Sequence, residues 1–249
     1  MEWSDEAIVL SLKRHGETSG ILEALTLGHG RHLGLVRGGV SPKRRAGLQP
    51  GNRVKVTWRA RMSENLGVFT FELTGARAAE MFGRGSALAG LNALTTVTTA
   101  VLPEREPHGP AYEGADALLD AMAAHDDFAD WAPLYVRWEL GLLDELGFGI
   151  DLTRCASTGA LDDLIYVSPR TGRAVSAAAG APYRDRLLPL PQFLLGRQAG
   201  KATSADILAG LRLTAHFLEQ SVLAPHGKTI PEARRRLTDL AVRASTESA

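Results

Sequence analysis

The segment 53-RVKVTWRARM-62 decides how the first third of this chain folds. Apolar and polar residues alternate along it, as in a half-buried β-strand, because successive side chains point to opposite faces of a sheet. One face is apolar, with Val54, Val56 and Trp58. The other face carries four cations, which are Arg53, Lys55, Arg59 and Arg61. The pattern therefore predicts a sheet with one cationic surface.

The residues around this strand predict a small antiparallel barrel. A strand-like run at 6–17 is followed by two more within 20–39, joined by a Gly-containing hairpin at 28–31. The stretch 38–51 is rich in Gly, Pro and basic residues and is interpreted as a loop, and 66–75 alternates like the strand before it. Five strands in about 75 residues are typical of an OB-fold.

The remainder of the chain is predicted to be mostly helical. Thr203 and Asp206 have the spacing of a capping box, as do Thr229 and Glu232, and Gly147 can end a helix. The candidate helices cover 86–102, 112–125, 131–147, 203–223 and 232–244. We expect an α+β protein with an OB-fold domain at 1–78 and a helical domain at 79–249, the latter containing a small inserted module at 151–188.

Charge is sorted along the chain, although the net charge is zero. The range 24–63 has nine Lys or Arg and no acid, 104–163 has fourteen acids and three bases, and 164–213 has seven bases and two acids. An ordinary solvated surface mixes both signs, so the first block favours a polyanionic partner such as nucleic acid. The candidate DNA-binding residues are Arg31, Arg37, Lys43, Arg44, Arg45, Arg53, Lys55, Arg59 and Arg61.

Catalytic and cofactor motifs are missing from the sequence. The glycines of 28-GHGRHLG-34 have the wrong spacing for dinucleotide binding, and there is neither a phosphate-binding loop nor a Gly-x-Ser-x-Gly elbow. His29 and His32 are close, but no acid or thiol near them in sequence completes a metal set. A binding protein is favoured over an enzyme, with a metal-dependent enzyme using histidines and Cys155 as an alternative.

Cys155 is the only cysteine and begins a spaced pattern. Cys155, Thr158, Ser176 and Ala179 occupy the four ligand positions of a C-x2-C, x17, C-x2-C zinc ribbon. One thiolate cannot hold tetrahedral zinc, so we expect a degenerate module without metal or other cofactor, in which packing and turn hydrogen bonds replace the ion. A single cysteine, an acidic N-terminus and the lack of a long apolar run favour a cytoplasmic protein without a membrane span.

Four segments of the sequence resemble the RecO family of bacterial recombination mediators. They are 16-GETSGILEALTLGHG-30, 36-VRGGVSPKRRAGLQPG-51, 135-YVRWELGLLDELGFGIDLTRC-155 and 166-YVSPRTGRAVS-176. The resemblance extends over essentially the whole chain. It implies an N-terminal OB domain and a helical domain with an inserted zinc-ribbon-like module, which in some members keeps four cysteines.

The resemblance also implies an activity and partners. Family members bind single- and double-stranded DNA, anneal complementary strands and help RecA to replace the single-stranded-DNA-binding protein SSB. The implied partners are RecR and the acidic tail of SSB, with RecA as an indirect partner and the nucleoid as the place of action. Arg137 and Arg212 are candidates for binding that tail, because an acidic peptide with an apolar end needs a hydrophobic groove beside a cation.

The residues favour binding through the sugar–phosphate backbone. Trp58, Phe69 and Phe71 occupy the apolar positions of the alternating pattern, so we expect them in the core. Stacking of bases on these rings is therefore not expected to dominate DNA binding. The alternative function is that of another OB-fold adaptor, associated with RNA or the ribosome.

Overall fold

The computed structural model describes residues 1–62, 64–196 and 201–247 and confirms the α+β class. The chain divides into two compact units, Met1–Asp126 and Asp127–Ala249. The first contains a five-stranded sheet and helices, and the second is mostly helical. None of the described helices combines the length and hydrophobicity that crossing a membrane requires.

The five strands of the first unit form the predicted OB-like barrel. They are β1 (Glu2–His15), β2 (Ser19–Thr26), β3 (Gly30–Val36), β4 (Arg53–Arg59) and β5 (Val68–Gly75). They close in the order β1-β2-β3-β5-β4, and the parallel pair Leu35 and Val68 joins β3 to β5. The long β1 pairs with β4 through its first half and with β2 through its second half, which bends the sheet into a closed form.

Alternation along β4 is confirmed by burial. Val54, Val56 and Trp58 are buried and pack with Phe69 of β5 in the barrel core, whereas Arg53, Lys55, Thr57 and Arg59 alternate with them on the outer side. Burying the apolar side chains contributes about 1.5–3 kcal/mol each, which fixes the register, because a slip of one residue would place the cations in the core.

The segment between β3 and β4 differs from the predicted loop. It contains a short helix, α1 (Pro42–Gly47), with Ser41 at its N-cap and a proline in its first turn. Proline suits this position because its fixed φ angle matches the helix and its missing N–H has no intrahelical partner there. The helix presents Lys43, Arg44 and Arg45 to solvent.

Three further helices complete the first unit. They are α2 (Arg77–Met81), α3 (Gly85–Val101) and α4 (Gly109–Ala124). Asp116 and Asp120 lie one helical turn apart on α4, so both point toward the barrel side of that helix. Their partners are described with the candidate site.

The second unit combines helices with a three-stranded sheet. Its elements are α5 (Phe128–Glu145), β6 (Leu164–Val167), β7 (Ala174–Ser176), α6 (Ala177–Gly180), the 3₁₀ helix Ala181–Arg186, β8 (Leu188–Pro189), the 3₁₀ helix Gln192–Leu195, α7 (Ser204–Phe217), the π-helical turn Leu218–Leu223, the 3₁₀ turn Ala224–His226 and α8 (Glu232–Glu247). The sheet has the order β7-β6-β8. All of it except Pro189 lies inside the predicted module at 151–188, whose zinc-ribbon-like character stays a prediction.

Two of the predicted helix ends are confirmed and one is wrong. Thr203 and Asp206 form a capping box at α7, and Gly147 follows α5 with a φ of 82°, a conformation that glycine adopts without strain. Thr229 does not cap α8, which begins at Glu232, directly after Pro231. The carbonyl oxygen of Pro231 accepts from the N–H groups of Arg234 and Arg235, so Pro231 and not Thr229 directly precedes the first turn.

A buried ion pair ties three helices of the second unit together. Arg234 of α8 and Glu139 of α5 are both fully buried, and Arg234 Nη2 donates to Glu139 Oε2 at 2.8 Å. Thr214 of α7 donates its hydroxyl proton to the same carboxylate. Two charges out of water are tolerated because each is paired and hydrogen-bonded, and losing one partner would leave the other uncompensated.

Candidate nucleic-acid interface

The outer face of β4 is of mixed charge, because its neighbours on both sides carry acids. Lys55 lies between Glu6 of β1 and Glu72 of β5 in the strand register. Arg59 lies opposite Glu2, and its Nη2 donates to Glu2 Oε1 at 2.6 Å. This hydrogen bond and the arginine charge lower the pKa of the Glu2 carboxyl. The prediction of which β4 side chains are buried and which face outward is correct. The outer face, however, is not the row of unpaired cations that the sequence suggested.

Arg53 is held by helix α4. It donates through Nε to Asp116 Oδ1 at 3.0 Å and through Nη2 to Asp120 Oδ2 at 3.0 Å. The buried Arg77 of α2 binds the same two carboxylates, with Nη2 to Asp116 and Nε to Asp120 both at 2.6 Å. We call these four residues the arginine–aspartate clamp. The structure therefore corrects the expectation that Arg53 is available to phosphates, since its fork is already occupied by carboxylates.

Arg31 is also engaged within the protein. Its Nη1 donates to Glu23 Oε1 at 2.7 Å, its Nε donates to the carbonyl oxygen of Leu102 at 2.9 Å, and Glu104 lies 3.6 Å away. Only 12% of the Arg31 side chain is exposed. We therefore assign Arg31 to the packing of the barrel against the α3–α4 connection and correct its place among the candidate DNA contacts.

The remaining five candidate cations are exposed and have no carboxylate partner among the described residues. They lie on the connections that follow β3 and β4. They are Arg37, Lys43, Arg44, Arg45 and Arg61. Arg44 Nη1 donates to the carbonyl oxygen of Arg37 at 2.6 Å, which ties α1 to the end of β3. The N–H of Leu35 donates to the carbonyl oxygen of Gly67 at 3.0 Å, which places the β4–β5 connection, with Arg61, beside the same strand end.

The β1–β2 turn adds two cations that the sequence reasoning missed. Gly20 of β2 pairs with Arg14 on one side and with Val36 on the other, and the N–H of Val40 donates to the carbonyl oxygen of Thr18 at 3.2 Å. Lys13 and Arg14 are exposed at this end of the barrel. The signal was the basic pair ahead of a glycine turn in 13-KRHGE-17, which lies outside the acid-free block of sequence.

We define the barrel-end cluster by the seven exposed cations of these connections. They are Lys13, Arg14, Arg37, Lys43, Arg44, Arg45 and Arg61. Glu17 and Glu64 belong to the same turns, so the cluster keeps an excess of positive charge. Loops at one end of an OB barrel are the elements with which this fold binds oligonucleotides.

Aromatic side chains are mostly unavailable at this site. Trp58 and Phe69 are buried, and Trp58 Nε1 donates to the carbonyl oxygen of Leu66 at 3.0 Å. His32 packs edge-on against Trp58, and its burial lowers its pKa to about 4. His29 instead stacks on Trp3 at 4.0 Å and binds Asp5 through Nδ1 at 2.8 Å. The two histidines therefore serve packing and a local polar contact.

Arg137 lines a pocket in the second unit, as the SSB-tail hypothesis requires. Its Nη2 donates to the carbonyl oxygen of Phe193 at 2.7 Å, and its guanidinium lies 5.9 Å from the centre of the Phe193 ring. The pocket holds about 300 Å³ and has Pro133 and Leu134 in its wall. Arg212 is exposed on α7 and is not part of this pocket.

The zinc-ribbon positions form a hydrogen-bonded group around the thiol. Ser176 donates to Cys155 Sγ through its N–H at 3.3 Å and through its hydroxyl at 3.4 Å. Burial opposes the thiolate, but the hydrogen bonds from Ser176 and Thr158 favour it and lower the pKa of Cys155 to about 6. One thiol, two hydroxyls and the methyl group of Ala179 do not form a zinc-binding set. Among the described residues, no three His, Cys, Asp or Glu side chains are placed to hold a metal.

Comparison with known proteins places the whole chain beside one family. Residues 1–77 match the family model for the N-terminal domain of recombination protein O, and residues 83–230 match the model for its C-terminal domain. A curated DNA repair protein RecO from Cereibacter sphaeroides (strain ATCC 17029 / ATH 2.4.9) is 50% identical over 246 residues, covering 98% of this chain and all of the relative. RecO of Rhodospirillum centenum is 50% identical over 250 residues, covering 100% and 98%. RecO of Caulobacter vibrioides is 50% identical over 239 residues, covering 96% and 97%.

Proposed function

The chain belongs to the RecO family and has a role in DNA repair and recombination, and from this premise we propose that it binds DNA through the barrel-end cluster and anneals complementary strands. In this proposal it handles both single- and double-stranded DNA and helps RecA to load on strands coated with SSB. It acts as a mediator in the cytoplasm, at the nucleoid, without making or breaking covalent bonds and without a cofactor.

One observation carries the proposal, namely that seven exposed cations lie on or beside the β1–β2, β3–β4 and β4–β5 connections, which backbone contacts join near the end of β3. Each phosphate that a cation neutralises releases condensed counterions, so such a surface binds any sequence and is sensitive to salt. Arg31 and Arg53 lie at the opposite ends of β3 and β4 and have carboxylate partners, so they are not part of this surface.

Backbone binding suits annealing because the bases must stay free to pair. Trp58 and Phe69 are packed inside the barrel and cannot hold a base, whereas Phe71, which was also expected in the core, is only partly buried against it. A protein that shields phosphate repulsion without occupying base edges lowers the barrier between two strands. This mechanism requires two strands to come together on the protein.

The Arg137 pocket is our candidate site for the acidic tail of SSB. A peptide with an apolar end can place that end against Leu134 and Phe193 while its carboxylates meet the Arg137 guanidinium. We expect Arg137→Ala to weaken a labelled SSB-tail peptide by about tenfold and Arg212→Ala to leave its affinity nearly unchanged. RecR remains the expected protein partner.

The decisive experiment is annealing of complementary strands coated with SSB, compared with SSB that lacks its tail. We expect the protein to accelerate annealing of coated strands only when the tail is present, and to accelerate annealing of naked strands in both cases. Structured RNA is added as a competitor. If RNA displaces the DNA and no annealing occurs, the chain is an RNA-associated OB-fold adaptor instead.

A further inference from the structure

A second group of arginines lies in the sheet module of the second unit. Its members are Arg154, Arg170, Arg173, Arg184 and Arg186, and all five are exposed. The sequence shows a reversal of charge sign over 164–213, which the proposed function does not use. The question is whether these arginines are scattered or share a surface.

The strand register places three of them, Arg170, Arg173 and Arg186, at one end of the three-stranded sheet. Val167, the last residue of β6, pairs with Ala174 of β7 and with Leu188 of β8. The β6–β7 turn, which carries Arg170 and Arg173, therefore lies at this end. Arg186 precedes Leu188 by two residues and enters β8 from the same end.

The loop with Arg154 reaches this end as well. The N–H of Ala156 donates to the carbonyl oxygen of Ala174 at 2.8 Å, and Asp151 bridges to Arg173. The loop is held from inside by the Cys155–Ser176 hydrogen bonds described above, and an Asx turn from Asp151 to Thr153 at 3.0 Å fixes its start. The turn with Arg170 is anchored too, because His216 Nε2 contacts the carbonyl oxygen of Pro169 at 3.1 Å.

Two neighbouring acids lie at the opposite end of the sheet from these arginines. Asp162 and Asp163 precede Leu164, which pairs with Ser176 at the opposite end. Two acids do lie among the arginines. Asp151 is 3.5 Å from Arg173, and Asp185 is 3.6 Å from Arg184. Arg154, Arg170 and Arg186 have no carboxylate partner among the described residues.

We propose that this sheet end is a second site for a nucleic-acid backbone, separate from the barrel-end cluster. Guanidinium groups bind phosphate oxygens in a fork and keep their charge at every physiological pH, which suits a phosphate chain better than a single small anion. Tyr183 is 59% exposed beside Arg184, and an exposed aromatic ring among cations is a typical stacking partner for an unpaired base.

The site rests on the proposed function and extends it. If one strand is bound by the barrel-end cluster and a second by the sheet end, both are held on the same protein, and the effective concentration of each strand for the other increases. An annealing protein gains from this arrangement because it turns the encounter of two strands into an event on one protein.

A bridging assay tests the site directly. One thymidine oligonucleotide is fixed to beads, a labelled one is added in solution, and the retained label reports a protein holding both. These strands cannot pair with one another, so retention requires two nucleic-acid sites. The variant is Arg170→Ala with Arg186→Ala, and the matched control is Arg236→Ala with Arg243→Ala on α8, which removes the same charge from exposed positions.

We expect the sheet-end variant to lose about tenfold in bridging while the control retains it. Affinity for a single oligonucleotide of about 12 nucleotides, the size that one OB-fold covers, should change less than about twofold in both variants. Equal bridging by the variant and the control would overturn the second site. Failure of the unchanged protein to bind any oligonucleotide would instead refute the proposed function.

An acidic polypeptide is the other ligand that such a surface can attract. Polyglutamate is therefore tested with the same two variants. If the sheet-end variant loses polyglutamate binding but bridges oligonucleotides like the control, the site serves an acidic protein and the proposal is wrong.

Discussion

Arg53 of β4 and Asp116 of α4 form a two-point ion pair across 63 residues of sequence, with Nε of Arg53 donating to one carboxylate oxygen and Nη2 to the other. Arg77 donates to the same carboxylate at 2.6 Å, so one aspartate joins the barrel strand to helix α2. The relationship changes the role of a residue that its sequence position marked for DNA. The clamp holds α4 against the barrel and leaves phosphate binding to the cations at the barrel end.

Replacing Arg53 should therefore cost stability and not DNA affinity. We expect Arg53→Met to lower the free energy of unfolding by about 2 kcal/mol, because it leaves the partly buried Asp116 carboxylate with Arg77 as its one remaining arginine partner. Lys55→Met on the same strand is the control, and its exposed side chain should cost less than about 0.5 kcal/mol. Urea unfolding of both variants gives the comparison. Equal losses would show that the clamp has no special role.

The clamp also predicts how stability responds to acid. Burial acts to raise the pKa of the Asp116 carboxyl, but hydrogen bonds from Arg53 and Arg77 outweigh it, and the pKa lies below its ordinary value of 3.8. A carboxyl whose pKa is lower in the folded state contributes stability that is present above the unfolded pKa and is lost as the pH falls through the folded one.

We expect the free energy of unfolding of the natural chain to decrease as the pH falls below about 4, and Asp116→Asn to be less stable at neutral pH and to decrease less steeply there. Urea unfolding at a series of pH values from neutral to acidic measures how the free energy of unfolding of each protein depends on pH. A variant with the same acid dependence as the natural chain would assign the effect to other carboxyl groups.

The barrel could be predicted from the sequence, but the side chains that pair with its cations could not. Alternation fixed which face of β4 is buried, because burying Val54, Val56 and Trp58 together outweighs any other register. It could not show that Arg53 meets Asp116, since that contact depends on where α4 packs. The same limit explains Arg31, whose partner Glu23 lies on the neighbouring strand.

Local sequence patterns also gave wrong or incomplete predictions of secondary structure and of the exposed cations where tertiary packing determined the structure. The basic segment before β4 reads as a loop, but Pro42 starts a short helix that gathers three cations on one turn. Lys13 and Arg14 lie before the acid-free block, which begins after Glu23, and only the pairing of β2 with both neighbours brings them beside Arg37. Thr229 has capping spacing, but α8 begins at Glu232 and Pro231 is the residue that directly precedes it.

The hydrogen bonds to Cys155 give the degenerate module a measurable signature. Burial opposes thiolate formation, and hydrogen bonds from Ser176 and Thr158 lower the pKa of the thiol to about 6. Because this is the only cysteine of the chain, thiolate absorbance in the ultraviolet reports it alone. We expect Ser176→Ala to move the midpoint upward by at least about one pH unit. An unchanged midpoint would show that these hydrogen bonds do not stabilise the thiolate.

The same protein should contain no stoichiometric zinc. The four ribbon positions supply a single thiolate, and tetrahedral zinc needs more strong ligands than hydroxyl groups can offer. Elemental analysis of protein purified without chelator, with and without added zinc, measures the bound metal. One zinc ion per chain that survives gel filtration would contradict this account of the module.

The most direct test of the account is the salt dependence of single-stranded DNA binding. Seven cations at the barrel end, each neutralising one phosphate, predict a slope of log affinity against log salt of about −5, and Lys43→Ala with Arg44→Ala and Arg45→Ala should make it shallower by about two. The control variant, Arg212→Ala with Arg236→Ala and Arg243→Ala, removes three exposed charges elsewhere and should keep the slope of the natural chain. A slope for the natural chain no steeper than about −1, or one that the α1 variant leaves unchanged, would contradict backbone binding at the barrel end.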